Sequence, residues 1–125
     1  MQLWAPSSTS IEQANVSRYL NWVNKTKKQS FTDYQQLWEW SVANVESFWE
    51  SVWLYLDMLH DGNYKSAMNG MPMPGTRWFE GTRLNYSEHI FRKKNDKYPA
   101  IIFKSESGPL RKVSWRELEE QVASV

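Results

Sequence analysis

Apolar residues at helical spacing predict a first helix from about residue 10 to residue 24. Its stripe follows positions i, i+3, i+4 and i+7, which share one face of a helix: Val16, Tyr19, Leu20 and Val23. Thr9 or Ser10 precedes Glu12 and Gln13 at the spacing of a capping box, so the helix is expected to begin there. The polar run that follows, NKTKKQS, is predicted to be a solvated turn, because no aromatic residue interleaves its lysines as a nucleic-acid site would require.

The strongest periodic pattern lies between residues 45 and 59. Six apolar residues repeat there at helical spacing: Val45, Phe48, Trp49, Val52, Leu56 and Leu59. Asn44 is placed to cap this helix, and Gly62 is placed to end it in the left-handed conformation. A preceding helix, capped by Thr32, carries three apolar residues on one side: Tyr34, Leu37 and Trp38.

Tryptophan is unusually frequent, with 8 in 125 residues. Four of them lie on these two helices, which the short SVAN corner joins: Trp38, Trp40, Trp49 and Trp53. This face lacks the convergent polar groups of a cofactor site, so the pattern favours an aromatic core. Trp40 and Trp53 fall off the main stripe and are expected at the edge of that core or against another domain.

The second half of the chain is punctuated by turn and capping signals. Residues 71–84 combine proline and glycine and are expected to form an extended connector. Asn85, with Glu88 three residues later, predicts a capped helix. The runs YPAIIFKS and PLRKVSW flank Gly108 and predict a β-hairpin with the loop SESG.

A last helix is predicted after the hairpin. Ser114 and Glu117 have the spacing of a capping box, and the helix is expected to run to Val125. The fold class is therefore mainly α with a small β-hairpin. Its predicted parts are a helical cap of about three helices over residues 1–70, the connector, and a helix, hairpin and terminal helix over residues 85–125.

Composition and charge narrow the class of protein. The 15 Lys and Arg nearly balance the 14 Asp and Glu, so charge does not favour nucleic acid or an anionic membrane. No cysteine is present, which excludes disulfides, thiolate zinc sites and cysteine nucleophiles and is typical of a reducing compartment. No signal peptide and no apolar run of membrane-spanning length is evident. A cytoplasmic location without membrane or nucleic-acid partners is expected.

Candidate catalytic and metal-binding residues are few. The sequence contains no dinucleotide fingerprint, phosphate loop, G-x-S-x-G elbow or H-E-x-x-H motif. His60 and Asp61 are adjacent, but no third ligand follows at a metal-site spacing, and His60 is better explained by its place near a helix C-terminus. The residues therefore predict no catalytic residue and no metal site in this chain.

Three stretches together resemble the N-terminal region of acyl-CoA synthetases in the adenylate-forming superfamily. They are LWEWSVANVESFWESVW, PGTRWFEGTRLNYSEHIF and YPAIIFKSESGPLRKVSWRELEEQVASV. The pairs Trp40-Ser41, Phe48-Trp49 and Trp78-Phe79 and the run Leu84-Asn85-Tyr86 carry the match. The residue order in the first two stretches is most similar to that of the acetoacetate branch, while the acetyl-CoA and propionyl-CoA synthetases share part of the pattern.

The resemblance implies an activity for a longer protein. Members of the family join a carboxylate to coenzyme A with ATP and magnesium through an acyl-adenylate, and the acetoacetate branch yields acetoacetyl-CoA, AMP and pyrophosphate. Family enzymes bind ATP through a Ser/Thr/Gly-rich loop and use an aspartate and a C-terminal lysine, and no position here matches those motifs. The chain is thus expected to be an inactive N-terminal piece that binds no cofactor itself, leads into the large α/β domain, and packs on the remainder of the same polypeptide.

Two alternatives remain open at the sequence level. Trp78 and Phe79 are expected to brace the connector against the large domain, with Arg77 and Arg83 pairing with carboxylates or helix ends. A contact of Arg77 and Arg83 with the phosphates of coenzyme A is the alternative. A stand-alone module that binds a partner through an exposed tryptophan-rich face is the competing class of protein. The fragment is expected to expose an apolar patch too, and to self-associate through its unfinished edge.

Overall fold

The computed structural model describes residues 4–125, so the first three residues of the predicted helical cap lie outside the described part. The described chain forms two compact units. Unit 1 comprises residues 4–58 and 62–82, and unit 2 comprises residues 59–61 and 83–125. The architecture is mainly helical with small antiparallel strand pairs, which confirms the predicted fold class. None of the helices in the described residues is both long enough and apolar enough to span a bilayer.

The described residues of unit 1 form four helices, where about three were predicted. They are α1 (Ser8–Gln13), α2 (Asn15–Lys27), α3 (Tyr34–Ala43) and α4 (Val45–Tyr55). Helix α2 packs on both α3 and α4, and α3 and α4 are consecutive neighbours separated by Asn44 alone. The predicted SVAN corner is therefore wrong in its extent, because its first three residues belong to α3 and only Asn44 lies between the helices.

The predicted helix over residues 10–24 is wrong in its bounds, because the chain is broken at Ala14. Ala14 has extended backbone angles, with φ −62° and ψ 142°. Two donors converge on the Ile11 carbonyl instead of continuing the helix: the Ala14 N–H at 3.2 Å and the Ser17 hydroxyl at 2.6 Å. The first cap is Ser7, whose hydroxyl oxygen accepts the Ser10 N–H.

The predicted turn of lysines is wrong as well. Helix α2 continues through Lys27 and ends at Lys28, which has a φ of 54°. Lys27 is not a freely solvated side chain, since its Nζ lies 2.5 Å from a carboxylate oxygen of Glu50 on α4. The next helix is capped by Asp33 rather than Thr32, because the Asp33 carboxylate accepts the Gln36 N–H at 2.9 Å.

Helix α4 is shorter than its apolar stripe predicts. It ends at Tyr55, so Gly62 is not its C-terminal cap. Gly62 has a φ of 78°, and a Cβ at this position would lie 2.1 Å from the Gly81 carbonyl oxygen. Only glycine allows the two backbones to approach this closely. Asn44 is the N-cap residue of α4, but its side chain donates to the Trp40 carbonyl instead of capping the helix.

The core of unit 1 is small, and the tryptophan that is buried in it is not one of those predicted. Its buried residues are Val23, Leu37, Ser51, Trp53 and Ala67. Trp53 is 7% exposed, whereas Trp38 and Trp49, which lie on the predicted stripe, are 47% and 45% exposed. The aromatic core is therefore present, but Trp53 lies inside it and not at its edge.

Ring contacts connect three helices of this core. Tyr19 of α2 lies 5.0 Å from Tyr55 and 6.3 Å from Phe48, both on α4. Phe48 also meets Trp40 of α3 edge-on at 6.2 Å. Such edge-to-face pairs stabilise a core beyond their buried area, which suits a unit with few fully buried aliphatic residues.

Short strands lie between residues 61 and 83. They are β1 (Asp61–Gly62), β2 (Met68–Asn69), β3 (Arg77–Trp78) and β4 (Thr82–Arg83). Strands β2 and β3 are antiparallel, with Met68 opposite Trp78 and Asn69 opposite Arg77. The segment predicted as an extended connector thus contains two short strands, β3 and β4.

Unit 2 contains α5 (Tyr86–Phe91), β5 (Ile101–Phe103), β6 (Arg111–Val113) and α6 (Trp115–Ala123). Both predicted caps are confirmed: Asn85 Oδ1 accepts the Glu88 N–H, and Ser114 and Glu117 form a reciprocal capping box. The predicted hairpin is confirmed too, with β5 antiparallel to β6. Helix α6 ends at Ala123, so the prediction that it runs to Val125 is wrong.

Candidate functional site

The stretch from residue 71 to residue 91 supplied the predicted site residues, and its tryptophan packs within unit 1. Trp78 lies on β3, and its indole meets Trp49 of α4 edge-on, with ring centroids 6.0 Å apart. The contact covers only part of each ring, because Trp78 remains 42% exposed. Trp78 therefore braces the β2–β3 ribbon against α4.

Phe79 extends this brace into the core. Its ring stacks on Trp53 at 4.1 Å and meets Tyr64 edge-on at 5.1 Å. Its N–H donates to the carbonyl of buried Ala67 at 3.0 Å. Phe79 thus packs on α4 of the same unit, and its predicted contact with the large domain stays a prediction.

The backbone of Phe79 is unusual for an aromatic residue. Its φ is 48°, a left-handed conformation in which a bulky side chain is disfavoured. The Phe79 carbonyl accepts both the N–H and the hydroxyl of Thr82, at 3.1 and 2.7 Å. Ring stacking and these hydrogen bonds hold the residue in this conformation.

Arg77 is engaged locally. Its guanidinium donates to Glu80 Oε1 at 2.9 Å, and Glu80 Oε2 accepts from the Asn69 side chain at 3.1 Å. The hydrogen bond from Arg77 lowers the pKa of Glu80, with Asn69 adding to the effect, and the same bond raises the pKa of Arg77. Because a carboxylate neutralises the guanidinium, the geometry favours the carboxylate-pairing hypothesis for Arg77.

Arg83 has different surroundings and lies in unit 2. It lines a cavity of about 240 Å³ together with two carboxylates, those of Asp61 and Glu88. The other lining residues are Leu59, His60, Leu84 and Asn85. Among residues 4–125, Arg83 forms no ion pair. Of the two arginines considered for a phosphate contact, Arg83 is therefore the one whose guanidinium is available.

The two histidines are placed differently from each other. His60 lines the cavity, and His89 lies on α5. His89 Nε2 accepts the backbone N–H of Leu59 at 2.7 Å, a contact across 30 positions that no local pattern in the sequence indicates. In the part of the chain that the structure describes, no group of three or more His, Cys, Asp or Glu side chains is placed to hold a metal ion.

Comparison with known proteins finds similarity to acyl-CoA synthetases. Residues 34–90 match the family described as acetyl-coenzyme A synthetase N-terminus. The chain is 29% identical over 121 residues to acetoacetyl-coenzyme A synthetase of Rhizobium meliloti, and 31% identical over 130 residues to a malonamoyl-CoA synthetase of Penicillium aethiopicum. The matches cover 97% and 96% of this chain but only 18% and 17% of those two proteins.

A solved structure agrees with these relatives. Acetoacetyl-CoA synthetase from Streptomyces lividans matches 99% of this chain with a TM-score of 0.89 and 32% identity, and the match covers 20% of that protein. The chain is thus similar to the N-terminal region of acyl-CoA synthetases. Its resemblance to the N-terminal region of acetoacetyl-CoA synthetases, predicted from the sequence, is confirmed.

Proposed function

We propose that this chain is the N-terminal part of an acyl-CoA synthetase that joins acetoacetate to coenzyme A at the expense of ATP. The observation that carries the proposal is the similarity to acetoacetyl-CoA synthetases over nearly the whole chain, at the level of both sequence and structure. The chain spans about 18% of the length of such a relative, so the groups that perform the chemistry would lie elsewhere in the longer protein. A cytoplasmic location, consistent with the absence of cysteine, is part of this proposal.

The proposed reaction has two balanced steps. A carboxylate oxygen of acetoacetate attacks the α-phosphorus of ATP, and pyrophosphate leaves; magnesium, when bound, would neutralise charge on the phosphates. The thiol of coenzyme A then loses its proton and attacks the activated carbonyl, and AMP leaves. Adenylation is needed because a carboxylate oxygen is a poor leaving group, whereas AMP is a good one.

The role proposed for the chain itself is structural. The aromatic contacts of Trp78 and Phe79 and the ion pair of Arg77 all hold the β2–β3 ribbon within unit 1. Strand β5 carries three successive apolar residues that are each about half exposed: Ile101, Ile102 and Phe103. A run without alternation is typical of a strand covered on both faces. These features support a domain division in which residues 85–125 begin a large α/β domain.

A contact of Arg83 with a phosphate of coenzyme A is the second proposal for this chain. Its support is the cavity that Arg83 lines and the absence of an ion pair to this residue in the described chain. Replacing Arg83 with Gln in the full-length enzyme should raise the KM for coenzyme A about tenfold or more and leave the KM for ATP unchanged. Arg77→Gln is the matched control, and equal effects of the two changes would contradict a specific role of Arg83.

The enzyme that carries this chain should first be assayed for acid-dependent release of pyrophosphate. Acetoacetate, acetate, propionate and malonamate should be compared at saturating ATP, Mg²⁺ and coenzyme A, and acetoacetate should give the highest kcat/KM. Faster turnover of acetate or propionate would assign the chain to an acetyl- or propionyl-CoA synthetase instead. The 125-residue chain alone should release no pyrophosphate, and activity from it would refute the structural role.

The half-exposed indoles of Trp38, Trp49 and Trp78 favour one further candidate, a stand-alone interaction module. An antibody against residues 71–91 separates the two classes of protein in a source lysate. A band several times larger than 14.9 kDa supports the synthetase, and a band near 14.9 kDa supports the module.

A further inference from the structure

His89 holds a backbone segment through one of its ring nitrogens. The Leu59 N–H donates to His89 Nε2 at 2.7 Å, and both residues are partly buried. A ring nitrogen that accepts a hydrogen bond carries no proton, so the imidazole is neutral and its single proton resides on Nδ1. The bond therefore exists in only one protonation state of this side chain.

The segment held in this way forms a wall of the cavity in unit 2. Residues 59–61 belong to unit 2, although the residues on both sides of them belong to unit 1. Leu59, His60 and Asp61 line the cavity, and Arg83 and Glu88 line it as well. The His89 ring is thus the side chain that fixes the Leu59 backbone in the cavity wall.

We propose that His89 is an acid-sensitive latch on the cavity wall formed by residues 59–61. Protonation of Nε2 replaces the acceptor with a second donor, so the Leu59 N–H then faces another N–H. The bond is lost, and a partly buried N–H is left without a partner, which favours movement of the Leu59 backbone toward water. The proposal stands apart from the proposed ligase activity, because it concerns only residues of this chain.

Ionisable side chains lie on every element packed around this bond. The cavity wall and the start of α5 contribute His60, Asp61, Arg83 and Glu88, and Arg92 follows α5. Helix α6 packs against α5, and its charged residues are already engaged: Arg116 with Glu120, Glu117 with Ser114, and Glu119 with Lys94.

The test measures hydrogen exchange by mass spectrometry in the intact protein that carries this chain, between pH 8 and pH 5. After correction for the intrinsic exchange rate at each pH, protection of the Leu59 amide should fall about tenfold as pH decreases. Exchange at the ring carbon of His89, measured on the same samples, reports its protonation. The two midpoints should agree within about one pH unit. Protection of Leu59 that stays constant while His89 becomes protonated would overturn the proposal.

Two variants complete the test. His89→Gln supplies a side-chain oxygen that accepts a hydrogen bond and does not titrate, so protection of Leu59 should become independent of pH. His60→Gln changes the neighbouring histidine of the same cavity and should preserve the pH-dependent fall. An unchanged fall in His89→Gln would show that another group controls the segment. If either variant fails to fold, the comparison of midpoints in the natural protein decides alone.

Discussion

Phe79 shows how tertiary contacts hold one residue in a costly backbone conformation. Its φ of 48° is disfavoured for any residue with a Cβ, yet its ring stacks on buried Trp53. Phe79→Ala should lose the stacking and keep the strain, at a cost of about 3 kcal/mol of unfolding free energy. Phe79→Gly loses the same contacts but relieves the strain, so it should be at least as stable as the Ala variant.

Phe48 provides the control for this prediction. It is a half-buried aromatic residue inside α4, where the backbone is helical. At this position the Gly variant should be less stable than the Ala variant by about 1 kcal/mol, because glycine is a poor helix former. Urea denaturation of the four variants gives the comparison. The same ranking of Gly and Ala at both positions would show that the conformation of Phe79 stores no strain.

Tyr19 stabilises the fold through a hydrogen bond to a buried hydroxyl. The hydroxyl of fully buried Ser51 donates to the Phe48 carbonyl at 2.7 Å, so the Tyr19 hydroxyl, 2.5 Å away, donates to Ser51. Tyr19→Phe leaves Ser51 without this donor and should cost about 1 kcal/mol of stability. Tyr34→Phe, which alters a 63% exposed ring, should cost little. Thermal unfolding of both variants at neutral pH checks this.

The pKa of Tyr19 leads us to expect that the folded chain loses stability at alkaline pH. Burial raises the pKa of Tyr19, so the folded chain keeps the proton after the unfolded chain has lost it. The stabilisation is complete below the pKa of an unfolded tyrosine, about 10, and is lost as the pH rises from there through the higher folded pKa. Tyr19→Phe should therefore show a shallower fall in Tm above pH 10 than the natural chain. Identical slopes would contradict the contribution of Tyr19.

At the scale of single elements, helix α6 depends on the capping box at its start. Ser114 Oγ accepts the Glu117 N–H, and the Glu117 carboxylate accepts the Ser114 N–H at 2.7 Å. Ser114→Ala should destabilise the helix by about 1 kcal/mol. Exchange of the α6 amides measures this, and Ser124→Ala at the far end of the helix should have a smaller effect.

Acid should weaken the same helix. The hydrogen bond from the Ser114 backbone, with that of the hydroxyl, lowers the pKa of Glu117. Its stabilisation is thus present above the ordinary glutamate pKa of about 4.3 and is lost as pH falls through the lower folded value. Protection of the α6 amides should decrease over this range in the natural chain and much less in Glu117→Gln. An equal decrease in both would assign the acid effect to another carboxylate.

Elements whose ends are set by neighbouring residues were predictable from the sequence. The caps at Asn85 and Ser114 act within three residues, and the β5–β6 hairpin is closed by a nearby loop. The break at Ala14 was not predictable, because no proline or glycine marks it and only the hydrogen bonds of the Ile11 carbonyl reveal it. The bond between His89 and Leu59 depends on tertiary structure and has no local signature.

At the scale of the whole chain, burial was the property that periodicity predicted least well. The stripe on α4 correctly indicates an apolar helix, but Trp53 enters the core and Trp49 stays half exposed. The choice between these rings is made by Tyr64 and Phe79, which come from distant parts of the chain and pack on Trp53. Of the candidate site, Arg77 pairs locally with Glu80, while the cavity beside Arg83 requires the folded chain.

The uncovered hairpin predicts how the 125-residue chain behaves when it is made alone. Each strand of a two-stranded pair has an unpaired outer edge, and Ile102 on β5 is 61% exposed. Strand β6 contains Arg111 and Lys112, whose charges oppose pairing of two copies of that edge, whereas β5 contains no charged residue. Copies of the chain should therefore associate through β5.

Sedimentation at increasing protein concentration tests this association. The natural chain should show a rising average mass, and Ile102→Lys should remain monomeric, because a charge on β5 repels a second copy of the strand. Tyr86→Lys introduces the same charge at an 80% exposed aromatic residue outside the hairpin and should associate like the natural chain. Association that survives Ile102→Lys would place the contact elsewhere, with the half-exposed tryptophans of unit 1 as the next surface to change.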